Sequence, residues 1–244
     1  MVVNMRMTTR EAAERLDVHQ SRVRALIGAG ILDADRVGTQ WLVDADSVDR
    51  QAALTTAGAT GRPMSMRVAW AASAIADGGQ APWISASGRS RLRTRLDVAT
   101  NAAVVQKWLR SRSESVIRFR IGERDIDELL RVDGVAATGV SAAHAYGVGL
   151  GTGGSADAYA AVDLADRLER DFFLVRSASG NLTLRIAADD LHLRSSSRVG
   201  GRLLASRLVV GVDLANDLET RTGSAGRGLI RQVLADRRWR QPGK

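Results

Sequence analysis

The 244-residue chain has no cysteine, which removes a disulfide framework, a thiolate zinc site, an iron–sulfur cluster and a thiol nucleophile at once. Lysine is nearly missing too: only Lys107 and Lys244 are present, so the other basic residues are all arginine. Together with the abundance of Ala, Gly and Val, this partly reflects GC-rich codon usage, so the net charge of +8 says little by itself. The longest stretch free of Asp, Glu, Lys and Arg, residues 134–156, is broken by glycines, Ser141 and His144. It cannot serve as a membrane-spanning helix. The opening MVVNMRMTTREAAERL lacks the apolar core of a secretory signal. These absences predict a cytoplasmic protein with no membrane partner.

Catalytic signatures are also missing. Gly147, Gly149, Gly151, Gly153 and Gly154 form a glycine run without the Lys-Ser/Thr of a P-loop. The run leads into a predicted strand, so no helix N-terminus would face a phosphate. Asp163 is followed two places on by Ala165, not by the second carboxylate of a nucleotidyltransferase. Asp125 and Asp127 have no Gly-Ser before them and read as acids in a helix's first turn. Val105 stands two places before Lys107, where a restriction-type nuclease needs an acid. His19, His144 and His192 are scattered, and no Ser/His/Asp set is visible. The expectation is no enzyme, no cofactor and no metal.

What is present is a gradient of charge. Residues 1–50 hold 7 Arg against 8 acids, residues 51–122 hold 11 basic against 3 acidic, and residues 123–244 hold 17 against 16. The excess sits in the middle of the chain, and a polyanionic partner would include that segment in its footprint.

The expected fold class is α+β. A small N-terminal domain at residues 1–50 precedes a Thr-, Ala- and Gly-rich linker at 51–64. A basic helical segment follows at 65–113, with Ser65, Ser87 and Asn101 capping helices over Met66–Asp77, Gly88–Leu96 and Ala102–Arg112. The rest, 114–244, is a mixed α+β domain. Ser115–Ile121 alternates as a half-buried strand, with Ile117, Phe119 and Ile121 on one face. Asp125–Arg131 reads as a short helix. Ala158–Val162 and Phe172–Val175 are strands flanking a helix near Leu164–Arg170. Asn181–Ala187 is a further strand, and helices near Leu208–Asp217 and Gly226–Arg238 close the chain.

The first fifty residues are the most informative. Thr8 and Glu11 have capping-box spacing. Ala12, Ala13 and Leu16 form one apolar face. Asp17-Val18-His19 breaks the helix, with Val18 expected to point inward. A second helix, Gln20–Ile27, buries Val23, Leu26 and Ile27 and exposes Gln20, Ser21, Arg22 and Arg24; Gly28 and Gly30 end it. Two short helices joined by about three residues fit a helix-turn-helix whose second helix enters a major groove. Arg36-Val37, a Gly38-Thr39 turn and Gln40–Val43 make a hairpin, with Trp41 and Val43 inward and Arg36, Thr39 and Gln40 near the tip.

This segment resembles the excisionase/MerR-type winged helix-turn-helix family, which runs from Thr-x-x-Glu-Ala-Ala through a Val-Ser turn and a Val-Arg helix to a Gly-Arg-Arg-Trp wing. His19 departs from that pattern where Ser is usual, and Thr39-Gln40 replaces the basic pair at the wing tip. The resemblance implies DNA contacts from Gln20, Ser21, Arg22, Arg24, Arg36, Thr39 and Gln40. The remainder is similar to the C-terminal region of AbiEi-like antitoxins in the order RPMSMRVAWAASAI, WISASGRSRLR, TGVSAAHAYG, NLTLRI and VVGVDLANDLETR. That likeness implies an autorepressor and antitoxin, with a nucleotidyltransferase-like toxin as partner. A pure interaction module that sequesters a partner, a recombination adaptor of the excisionase kind and a ligand sensor remain alternatives. Arg89, Arg91, Arg93 and Arg95 spread around a helix, Arg89 with Arg93 and Arg91 with Arg95. They would contact the DNA backbone or the protein partner, or pair with C-terminal acids. One winged module buries only ~600–1,000 Å² on DNA, so a homodimer or added basic contacts are implied.

Overall fold

The computed structural model describes residues 6–16, 18–56, 63–99, 101–217 and 219–240, without the side chains of residues 50 and 53–56. It is an α+β chain of two compact units, Met1–Gly61 and Arg62–Lys244, each with its own apolar core.

The first unit runs β1 (Arg6–Thr8), α1 (Thr9–Leu16), α2 (Gln20–Gly28), β2 (Ala34–Val37), β3 (Gln40–Asp44) and α3 (Ala45–Thr56). Its three-stranded sheet has the order β1-β3-β2, antiparallel throughout. Ala12, Val23, Leu26, Leu32, Val43 and Val48 fill the core, so both helices, the hairpin and α3 share one apolar centre. The expected boundary at residue 50 falls inside α3, because Val48 is fully buried there and ties that helix to the core. The linker expected at 51–64 therefore begins as helix, and its residues 57–62 lie outside the described ones. Val18 does not point inward. It is 37% exposed in the turn between α1 and α2.

The second unit opens with α4 (Met66–Ala76), α5 (Ala86–Val98) and α6 (Ala102–Trp108). Next come β4 (Ser115–Arg120), α7 (Ile126–Leu129), β5 (Ala136–Ala137), α8 (Gly139–Ala143) and a 3-10 turn at His144–Tyr146. Then follow β6 (Ala156–Ala160), α9 (Val162–Asp171), β7 (Val175–Arg176), β8 (Leu182–Ile186), α10 (Leu191–Arg194) and the hairpin β9 (Ser197–Val199) and β10 (Arg202–Leu204). Finally α11 (Arg207–Ala215) and α12 (Thr220–Asp236) lead to a 3-10 turn at Arg238–Arg240. The seven strands form one mixed sheet, β7-β4-β8-β6-β5-β10-β9, parallel only at β8–β6 and β5–β10. Strand β8 alternates as its sequence predicts, with Leu182, Leu184 and Ile186 buried. Every residue of α11 is buried. A helix so covered must be apolar nearly all round, and α11 is, apart from Arg207 at its start and Asp213 in its last turn.

Several element ends moved. Ser85 rather than Ser87 caps α5, accepting from the Gly88 N–H at 3.1 Å. α6 stops at Trp108, short of Arg112, whose side chain is drawn into the core. β7 holds only Val175–Arg176, because Phe172 and Phe173 finish α9, with Phe173 at φ 49°.

His192 on α10 is wholly buried. Its Nε2–H donates to the Gly134 carbonyl at 3.0 Å, and Nδ1 is left in the core without a partner among the described residues. Burial lowers its pKa below 6.5, only partly opposed by the Gly134 bond and Asp190. Below 6.5 the unfolded chain therefore takes up the proton before the folded one does, and acid favours unfolding. The expected result is an unfolding free energy of the second unit, from urea titration, that falls from pH 7.5 towards the lowered pKa by at most about 1.4 kcal/mol per pH unit. His192→Gln should flatten that slope. An equal slope in the variant would place the proton uptake elsewhere.

Candidate nucleic-acid interface

The start of α1 is a closed capping box. Glu11 Oε2 accepts from the Thr8 backbone N–H at 2.6 Å and from the Thr8 hydroxyl at 2.9 Å, and Thr8 Oγ1 accepts from the Glu11 N–H at 3.2 Å. The Thr8 backbone bond, then its hydroxyl, hold the Glu11 carboxyl below its usual pKa. His19, three residues beyond the last residue of α1, acts as the N-cap of α2. The Ser21 backbone N–H donates to His19 Nδ1 at 3.3 Å, and the Ser21 hydroxyl lies 2.9 Å from the same nitrogen. An imidazole thus does the work expected of a serine. With Nδ1 accepting, the neutral ring carries its proton on Nε2, a donor at the exposed start of the helix.

From that cap, α2 turns Val23, Leu26 and Ile27 inward. Ser21, Arg22 and Arg24 are exposed and Gln20 is half-buried. The hairpin closes through two residues, since Val37 pairs with Gln40. Gly38 sits at φ 60° while Thr39 does not adopt a positive φ, the pattern of a turn with glycine at its first central position. Val43 is fully buried and Trp41 packs on the same core, as their shared face predicts. Arg36, Thr39 and Gln40 are exposed, and the Arg36 guanidinium lies over the Trp41 ring, 5.9 Å from its centroid.

The arginines of this unit fall into two groups. Arg6 pairs with Asp35 at 2.7 Å, Arg10 with Glu14 at 3.1 Å, and Arg15 with both oxygens of Asp49. Arg22, Arg24 and Arg36 meet no acid among the described residues. Among the described residues, the unit's slight negative balance therefore hides three guanidiniums without an acid, all on α2 and the hairpin.

The α5 arginines divide differently. Arg89 donates to the Ile84 carbonyl at 2.6 Å, and Arg93 is half-buried with its Nε unpartnered. Arg91 and Arg95 are exposed, Arg95 lying over the Trp108 ring at 5.8 Å. Among the described residues none of the four pairs with a C-terminal acid. The C-terminal contact of α5 is instead made by Asp97, which accepts from Trp239 Nε1–H at 2.8 Å and Arg240 Nε–H at 2.7 Å. The glycine run is loop leading into β6, and Asp127 pairs with Arg131 and Arg202.

One cluster escaped sequence reasoning. Asp213 of α11 accepts from Arg112, from Arg185 Nε at 2.9 Å, from Thr138 and from the Tyr159 hydroxyl at 3.2 Å, all in the core. Burial pushes its carboxyl up, but Arg112 and Arg185 more than reverse this and hold it below the usual range. Asp157, 3.9 Å from Arg185, goes the other way, because burial outweighs that single arginine. The sequence signal was a lone acid inside the apolar run VVGVDLA. Protein-family models, curated proteins and solved structures give no match to this chain.

Proposed function

We propose that the chain is a sequence-specific DNA-binding transcriptional regulator whose first unit works as a winged helix-turn-helix. One observation carries the reading: the described arginines of that unit are neutralised by its own acids except for Arg22, Arg24 and Arg36. Those three lie on the helix and hairpin that a winged domain turns to DNA. In this reading Gln20, Ser21 and Arg22 meet base edges, and Arg24, Arg36, Thr39 and Gln40 meet backbone or minor groove. The His19 Nε2–H adds a donor where the family has serine. A second copy of the chain supplies the contact area that one module lacks.

The setting we propose, an autorepressor and antitoxin opposed to a nucleotidyltransferase-like toxin, draws its support from the order of short motifs in the second unit. Coexpression with such a toxin from a neighbouring reading frame tests it by rescue of growth. For DNA reading, operator sequences selected from random duplexes provide the substrate. Arg22→Ala is expected to cost ~1–3 kcal/mol at one operator position and to relax preference there alone. Equal losses on operator and random duplex would assign Arg22 to phosphate and remove its base-reading role.

A further inference from the structure

The last long helix carries three arginines that the second unit does not use. Arg221, Arg227 and Arg231 of α12 are exposed, and their side chains make no ion pair or hydrogen bond among the described residues. At helical spacing Arg221, Ser224, Gly228 and Arg231 follow one another at i+3, i+4 and i+3. Arg227 flanks that strip, three residues from Ser224 and four from Arg231. No acid occurs between Thr220 and Ala235. The acids at the two ends are occupied, Glu219 by the Thr222 hydroxyl and Asp236 by Arg207.

Gly228 is the second sign. Glycine weakens a helix interior relative to alanine, and it is kept where something must come close. Gly226 has such a reason within the fold, since its missing side chain would overlap Ala215 and lie 2.6 Å from the Gly211 carbonyl oxygen. Gly228 has none: a side chain there would meet nothing within 4 Å. A helix face with an open glycine and serine among unpaired arginines suits a rigid anionic backbone lying close against it. It does not suit a protein partner, whose interface needs an apolar centre. The face has none, and protein–DNA interfaces are polar and basic. From Arg221 to Arg231 is about 15 Å of helix, the axial rise of four to five phosphates on one strand.

We propose that this face of α12 is a second DNA contact, which grips the phosphate backbone of a duplex without reading bases. It rests on the DNA-binding reading above and extends it to a helix outside the N-terminal unit. Guanidinium groups bind phosphate through paired N–H donors and remain charged at any working pH.

The test uses the full chain on a selected operator and on a random duplex, over a range of potassium chloride concentrations. The variants are Arg221→Gln/Arg227→Gln/Arg231→Gln together, Gly228→Ala, and Arg22→Ala. The triple variant should flatten the slope of log K against log salt by about 2–3 units. Its ratio of operator to random affinity should be unchanged, since phosphate contacts carry no sequence information. Gly228→Ala should melt at a higher temperature and yet bind both duplexes several-fold more weakly, a split that a purely structural role would not produce. An unchanged slope in the triple variant, with Arg22→Ala still relaxing preference, overturns the α12 contact and leaves the winged-domain reading standing. Salt-dependent binding without operator preference, flattened by the triple variant, supports α12 and removes sequence-specific reading. Absence of binding to either duplex removes both. Competition by polyglutamate as strong per charge as by duplex would overturn the DNA contact and assign the face to an acidic protein.

Discussion

Asp213→Ala should unfold or nearly unfold the second unit, at a cost of about 3–5 kcal/mol. The magnitude follows from what is left behind. Arg112 and Arg185 both donate to this carboxylate from buried positions, and Arg185 Nη1 has no hydrogen-bond partner even with Asp213 present. Removing the acid leaves the Arg112 guanidinium buried without a carboxylate and Arg185 with only Asp157, 3.9 Å away, and an uncompensated buried charge is far more costly than the pair is beneficial. Four of the five tryptophans, Trp70, Trp83, Trp108 and Trp239, lie in this unit. Trp70 donates to the Arg112 carbonyl at 2.8 Å and stacks edge-on against Tyr159, so fluorescence reports directly on the cluster. Urea titration of Asp213→Ala followed at those tryptophans is the measurement. Converting Asp213 to Leu with Arg112 and Arg185 both to Met should recover part of the loss, because the two arginines go with the acid and only Asp157 is left without its partner. A midpoint for Asp213→Ala close to that of the parent would show that water reaches the arginines.

Gly226→Ala is the second large effect, and its sign opposes helix propensity. Alanine in a helix interior normally gains about 0.5–1 kcal/mol over glycine. At residue 226 the added methyl would overlap the Ala215 nitrogen and stand 2.7 Å from the Leu214 carbonyl carbon, backbone atoms that cannot swing away. α12 would have to lift from α11, and a loss of about 2–3 kcal/mol is expected. Thermal unfolding beside Gly228→Ala gives an internal control, since the two substitutions lie on one helix and should move the midpoint in opposite directions. A gain for both would mean that the helices separate easily.

How much of this was legible depended on the range of the interactions involved. The capping box of Thr8 and Glu11, the buried side of α2 and the two-residue hairpin turn are set within a few residues, and each reads directly from spacing. The sequence placed His19 only in the break between two helices, and the geometry shows its ring nitrogen capping the second. Val18 was misread because an apolar residue in a break between helices need not be covered by them. The split of the α5 arginines needed the Ile84 carbonyl and the Trp108 ring, neither of which periodicity along α5 can supply. The Asp213 cluster was the least accessible. Its arginines lie 28 and 101 residues away in sequence, one on β8 and one in the connection between α6 and β4. Which of the arginines of the first unit are uncommitted was likewise settled by tertiary pairing, such as Arg15 reaching Asp49 across 34 residues.

The dependence of that cluster on a residue so late in the chain sets an order of events during synthesis. Residues 6–56 complete their core from neighbours close in sequence and can close soon after they leave the ribosome, as early domains do. Arg112, Thr138, Tyr159 and Arg185 emerge well before Asp213 and must wait for it, so the large sheet cannot bury its arginines until α11 arrives. A nascent or prematurely terminated chain ending before Asp213 would therefore present a finished N-terminal unit attached to an unfinished remainder. Such fragments would be recognised first by chaperones and proteases, and any hold on DNA by the N-terminal unit would outlast the rest of the molecule.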